Sequence, residues 1–369
     1  MKKLFYVIAM NMIFVLFIAA DRSSTNPYGM KKGTPGIKSI SALAFGPDGI
    51  LFIGDSKSAS VFAIDTKDKI ATDKAANVEI KNIDVKIAAS LGTEVKNIRI
   101  KDIAVNPVSK KIYCAVENVD GTPVLLKLEG ETIQPVSLKD IEFSASSIAN
   151  VPGEDQKDNR GRSLRESVIS DLNFADGNVM LSGISNQEFS STFRVIPFPF
   201  TDKQQQSSLE IYHAAHGRYE TNSPIRTFTT TTLNGKKYLV ASYTCTPLVL
   251  FAMDELQPGK HVKGRTVGEF GAGNSPIDMI TVKKGDNSFL VMANSSRPVM
   301  RVNYKKIAAY EGSLTEQVKE SFSTAGVDFV TLPVVNVLQM DKLDDSKVLI
   351  LQRRSNGDLD LSTLNDGMF

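Results

Sequence analysis

Residues 39–65 read SISALAFGPDGILFIGDSKSASVFAID: a short strand, a Pro-Asp-Gly turn, an apolar strand, a polar loop and another apolar strand. The unit recurs at 100–128 (IKDIAVNPVSKKIYCAVENVDGTPVLLKL), 168–196 (VISDLNFADGNVMLSGISNQEFSSTFRVI) and 224–252 (PIRTFTTTTLNGKKYLVASYTCTPLVLFA). Two further copies lie at 276–304 (PIDMITVKKGDNSFLVMANSSRPVMRVNY) and 334–364 (VVNVLQMDKLDDSKVLILQRRSNGDLDLSTL). The second strands begin near Leu51, Ile112, Val179, Tyr238, Phe289 and Val348, a spacing of 51 to 67 residues. Hairpin signals such as Asp48-Gly49 and Asn234-Gly235 join the strands. ILFI, KYLVA, FLVMA and VLILQ are apolar at nearly every position, as strands buried on both faces are. A propeller blade is sandwiched between two neighbours, so both its faces are core. A β-sandwich, the second choice, would alternate more cleanly along its outer strands. The expected fold is therefore all-β: a six-bladed β-propeller with four-stranded antiparallel blades.

The ends of the chain read differently. Lys2 and Lys3 precede an apolar run from Leu4 to Ile18, followed by Ala19 and Ala20, the pattern of a secretory signal peptide over residues 1–20. An uncleaved membrane anchor is the alternative. Residues 21–36 form an N-terminal segment, and 37–369 are expected to be the propeller. Outer strands are expected near Val78–Lys81, Thr132–Leu138, Leu209–His213 and Thr266–Phe270, each on the unit it follows. The sixth unit then lacks its outer strand, unless residues 21–36 supply it and close the ring. One amphipathic stretch, Ile83 to Leu91, reads as a helix within a loop.

Composition narrows the function. The 43 basic and 41 acidic residues are well mixed, so no basic stripe points to nucleic acid. Two cysteines, Cys114 and Cys245, fall two units apart and are expected to be free thiols. There is no G-x-S-x-G elbow, P-loop or H-E-x-x-H, and three histidines leave few general acids or bases. A monomer with no membrane contact beyond its export signal is expected.

Up-and-down blades place the second-to-third-strand turns and the connections between units on one end of the ring. Those segments are the long, polar ones, and function usually sits there. Three constellations fall on that face. Aligning the units puts Ala42, Asp102, Asp171, Arg226, Asp278 and Asn336 in one column. Asp102, Asp171, Asp278 and Asn336 offer oxygen ligands for a divalent cation, calcium foremost, or hydrogen bonds that pin adjacent blades. The segments YHAAHGRYETNSP and SYTCTP bring His213, His216, Arg218, Tyr219, Glu220, Tyr243 and Cys245 to the same end of unit four. Imidazole and thiolate together suit copper or zinc, although the same residues could serve as a strand end, a loop cap and a core filler. The connection 139–166 is long enough to be a lid or a solvated excursion. Arg297, Arg353 and Arg354 extend basic character along the face and, with Arg226, Arg218, Tyr219 and Tyr243, suit a carboxylate or phosphate ligand.

Across residues 37–364 the six units resemble exported six-bladed propellers of the NHL-like, TolB-like and gluconolactonase-type class. ALAFGPDGILFIGDSKSASVFAID, HGRYETNSPIRTF, SYTCTPLV and MANSSRPVMRV also resemble segments of secreted bacterial proteins of unassigned activity. The lactonase-type members hold a divalent cation at the channel mouth with acidic and Asp/Asn side chains. The resemblance implies that part for Asp102, Asp171, Asp278 and Asn336, whereas Arg226 departs from it. Three functions follow, in order: a secreted or periplasmic propeller binding a small ligand or protein partner on its loop face; a divalent-metal-dependent hydrolase or lactonase; and a copper or redox protein using His213, His216 and Cys245.

Overall fold

Each repeat unit folds into three consecutive antiparallel strands in the computed structural model, which describes residues 27–369. The expected export signal at 1–20 lies outside the described residues. Blade 1 is built from Ala42–Phe45, Ile50–Asp55 and Ser60–Asp65, and blade 2 from Ile98–Val105, Ile112–Asn118 and Pro123–Glu129. Blade 3 takes Asp171–Ala175, Asn178–Ile184 and Ser191–Pro197, and blade 4 Thr227–Leu233, Lys236–Ser242 and Pro247–Ala252. Blade 5 comprises Pro276–Lys284, Asn287–Asn294 and Met300–Asn303, and blade 6 Val337–Lys342, Val348–Arg353 and Leu359–Leu364. The hairpin turns carry the backbone their sequences demand. Asn234 and Gly235 sit at φ 49° and 79° between paired Leu233 and Lys236. Positive φ at both central residues is the type I′ pattern, whose twist matches that of the flanking strands.

Side-chain alternation explains why these strands are apolar throughout. Ile50 and Phe52 enter a cluster with Leu172 and Leu181 of blade 3, whereas Leu51 and Ile53 enter one with Tyr113 and Leu125 of blade 2. Successive residues face opposite sides of a sheet, so a blade between two neighbours buries both sets. Four more clusters join blades 3 and 4, 4 and 5, 5 and 6, and 6 and 2. The ring order is therefore 1-3-4-5-6-2, closing on blade 1. Blade 2 lies between blades 6 and 1, not between 1 and 3.

The outer strands follow from that order. After blade 1 the chain crosses to blade 6, where Glu79–Ile80 pair with Leu361 and Ser362 as its fourth strand. The expected outer strand of unit one thus belongs to blade 6. The helix Ile83–Ser90, where one was expected, buries Ile83 and Ile87 between blades 6 and 2. Having built blade 2, with Thr132–Pro135 outermost, the chain returns to blade 1, where Ile141–Ser147 pairs with Ser60–Ile64. Part of the expected lid, 139–166, is therefore an outer strand, Ile141–Ser147. Lys31–Gly33 pairs with Ile141–Phe143 as a fifth strand of blade 1, so the N-terminal segment does not close blade 6. Pro27 and Pro35, which cannot donate to a ladder, confine it to this short edge. Gln205–His213, Arg265–Glu269 and Val330–Thr331 complete blades 3, 4 and 5. No described helix is long and apolar enough to cross a membrane.

Candidate functional site

The innermost strands carry carboxylates into the central channel, and their bonding is specific. Asp102 of blade 2 accepts the N–H of Leu43 on blade 1 at 2.7 Å, and Asp171 of blade 3 accepts that of Phe228 on blade 4 at 2.9 Å. Asp278 of blade 5 accepts Met340 N–H on blade 6 at 2.9 Å, and Asp341 of blade 6 accepts Val105 N–H on blade 2 at 2.6 Å. The second oxygen of each accepts the N–H of the residue that follows it. Each carboxylate thus clasps two blades. Burial pushes Asp171 and Asp341 up to about 6, and Asp102 and Asp278 well above the ordinary range, with the other channel carboxylates adding repulsion to the last two. No three of these aspartates bring oxygens within 4.8 Å of one another. Asn336 stands apart at φ 57°, exposed, its carbonyl accepting from Arg353 N–H, and Ala42 is buried. Of the residues expected around a calcium-type ion, Asp102, Asp171 and Asp278 line one channel cavity, with Asp341 where Asn336 was expected. One oxygen of each aspartate bonds the backbone of the next blade and the other that of its own strand.

On the loop face a basin of ≈ 780 Å³ opens over blades 2, 1, 3 and 4. Seven lysine and arginine side chains face four carboxylates across it. Lys57 and Lys101 share Glu117 at 3.7 Å each, Arg162 pairs with Asp158 at 2.6 Å and Arg218 with Glu220 at 3.2 Å. Arg99, Arg160 and Arg226 have no carboxylate within 4.0 Å among the described residues, although Arg226 is near enough to Asp171 to lower its carboxyl. They arrive from blade 2, from the connection before blade 3 and from the entry to blade 4. That connection is fastened by Arg165, whose guanidinium donates to Lys57 O at 3.3 Å and Pro152 O at 2.7 Å. Where it reaches blade 3 it lies flat on the sheet: a Cβ on Gly183 would stand 2.0 Å from Val168 O.

The blade 3–4 wall of this basin holds the histidines. His213 ends the outer strand of blade 3, and a tight turn brings Arg218–Glu220 back alongside it. Both oxygens of Glu220 are used: one meets His213 Nδ1 at 2.9 Å, the other His216 Nδ1 at 2.7 Å. Burial alone would raise Glu220, but the two imidazoles outweigh it and hold the carboxyl at about 2. The turn Tyr243–Thr246 of blade 4 closes through Thr246 N–H to Tyr243 O at 2.9 Å, with Cys245 at φ 68° and Thr246 at φ 60°. Positive φ is costly for non-glycine residues, most of all a β-branched one, and such strain gathers at functional sites. A ring nitrogen of His213, one of His216 and Cys245 Sγ lie within 4.8 Å of one another, the one such set among the described residues. Beneath them Glu269, 0 % exposed, accepts Ala215 N–H at 3.1 Å and stands 4.0 Å from His213 Nε2; burial lifts its carboxyl to about 7.

The fold is a six-bladed β-propeller. No protein-family model and no curated protein matches the chain. Solved structures do, at 10 % identity. One is a chain of the mitotic checkpoint complex, covering 98 % of this chain and 100 % of that one, with a TM-score of 0.39. A putative oxidoreductase (glucose dehydrogenase) from Thermus thermophilus covers 91 % and 100 % at 0.36, and a luciferin-regenerating enzyme 91 % and 95 % at 0.34. At these scores the likeness carries no argument about activity.

Not every residue expected at the propeller's site is there. Arg218 and Arg226 line the basin. Tyr243 is 1 % exposed in the core between blades 3 and 4. Tyr219 points elsewhere, edge-on to Tyr212 with Lys263 over its face. Arg297 and Arg353 are held by Phe322 O and Gly357 O, outside the basin. Both cysteines are free, Cys114 inside blade 2. Sequence reasoning missed Arg99, Asp341 and Glu269, and placed Arg160 only within the long connection 139–166. Arg99 and Asp341 stand three residues before and five residues after the positions aligned as a column, so the chosen register hid them.

Proposed function

We propose that the protein binds a small anionic ligand, a carboxylate or phosphate compound, in the loop-face basin. The observation that carries this reading is the trio of unpaired guanidiniums, Arg99, Arg160 and Arg226, turned into one cavity by separate elements. Like charges held together by a rigid scaffold repel one another, and an anion offsets that repulsion while meeting the planar fork of each arginine. The volume falls within the range of small-molecule sites, roughly 300–1,000 Å³. Export, expected from residues 1–20, would present the basin to periplasmic or extracellular solutes. Calorimetric titration with inorganic phosphate, succinate and citrate tests the reading. At least one should bind, and Arg99→Gln or Arg226→Gln should each weaken it about 10- to 100-fold, the worth of roughly 1.5–3 kcal/mol for a charged hydrogen bond. Arg297→Gln, outside the basin, should leave affinity unchanged. Absence of heat with all three anions, or equal affinity in the Arg99 and Arg226 variants, contradicts the proposal.

A further inference from the structure

We infer that His213, His216 and Cys245 form a site for one late transition-metal ion, zinc or copper, in the wall of the basin. The three side chains come from two blades: the end of blade 3's outer strand, the turn after it and the strained turn of blade 4. One ring nitrogen of each histidine and Cys245 Sγ lie within 4.8 Å of one another, against about 3.3–3.6 Å in a closed tetrahedral site with ordinary Zn–N and Zn–S bonds. His216 is exposed and Cys245 half-buried, so neither side chain is enclosed by packing.

Two further features point to a cation. Glu220 occupies Nδ1 of both histidines, which leaves Nε2 of each as the nitrogen free to bind. A carboxylate behind a histidine in this way fixes the tautomer and orients the ring of a metal ligand. His213 is 2 % exposed and its Nε2 has no hydrogen-bond partner; Oε1 of fully buried Glu269 has none either. A buried polar atom without a partner is destabilising, because it gives up water and gains no hydrogen bond. An ion bound at His213 Nε2 answers the first. Thiolate and imidazole select zinc or copper over calcium and magnesium. Three ligands from the chain leave a fourth position open, and His213, His216 and Thr244 line the basin beside them. None of the unpaired arginines is a metal ligand, so metal binding can be measured with no anion present.

Metal-stripped full-length protein titrated with Co(II), then displaced by Zn(II), provides the test. One equivalent should bind, with a thiolate-to-cobalt charge-transfer band in the near ultraviolet. Cys245→Ser should abolish the band, and His216→Ala, at an exposed position that leaves the fold intact, should weaken zinc binding. Glu220→Gln, a change at a positioning residue, should weaken zinc about 10- to 100-fold while the band persists at saturation. His261→Ala should change nothing, because His261 is bonded to Ser208 and Glu210 on the outer strand of blade 3. No stoichiometric binding by the wild type, or zinc affinity unchanged in both Cys245→Ser and His216→Ala, overturns the inference.

Discussion

Asp171 and Asp341 hold neighbouring blades together through backbone N–H groups, yet burial raises both carboxyls to about 6. In the unfolded chain an aspartate titrates near 3.9. Between about pH 4 and 6 the native state therefore binds more protons than the unfolded one, so stability falls as pH rises through that window. The thermal midpoint should be higher at pH 5 than at pH 7.5, and Asp341→Asn should shrink the difference; an unchanged difference would place the proton uptake elsewhere. At this scale the sequence was legible where topology alone sufficed. His213, His216 and Cys245 could be grouped because a turn and a neighbouring connection share one end of a blade. Whether an aspartate binds an ion or a backbone N–H depends on where the next blade's strand lies, which residue type does not encode. Glu220 was legible as a neighbour, four residues after His216 on the same hairpin, but its grip on both rings depends on the turn between them.

Among the elements, the two-residue strand Glu79–Ile80 carries more than its length suggests. It completes blade 6, and Ile80, 3 % exposed, packs in the cluster shared by blades 2 and 6. Thr363 and Val78 exchange hydrogen bonds beside it, at 2.8 and 3.0 Å. Ile80→Ala should destabilise the protein by about 2–5 kcal/mol in urea unfolding, the cost of emptying a packed core position. Ile70→Ala, at a site 79 % exposed ten residues away, should stay within about 0.5 kcal/mol. Equal effects would mean that this strand does not latch the ring. The strand itself was visible in the sequence; its blade was not, since a fourth strand carries no mark of which third strand it will pair with.

For the whole molecule, the repeat specified six blades because each presents two apolar faces, and any neighbour with matching faces satisfies them. Ring order is set instead by the connections. The 32 residues between blades 1 and 2 are long enough to cross to blade 6 and back. That path brings Arg99 of blade 2 beside blade 1 and, across the basin, towards His216 and Arg226. The central claim is that the arginine basin and the histidine–cysteine wall are one site. It is tested most directly by following the cobalt absorption of Co(II)-loaded protein while phosphate or succinate is added at constant ionic strength. The account predicts a saturable spectral change at the concentrations where calorimetry detects binding, lost in Arg226→Gln. Anion binding with an unaltered cobalt spectrum would contradict it.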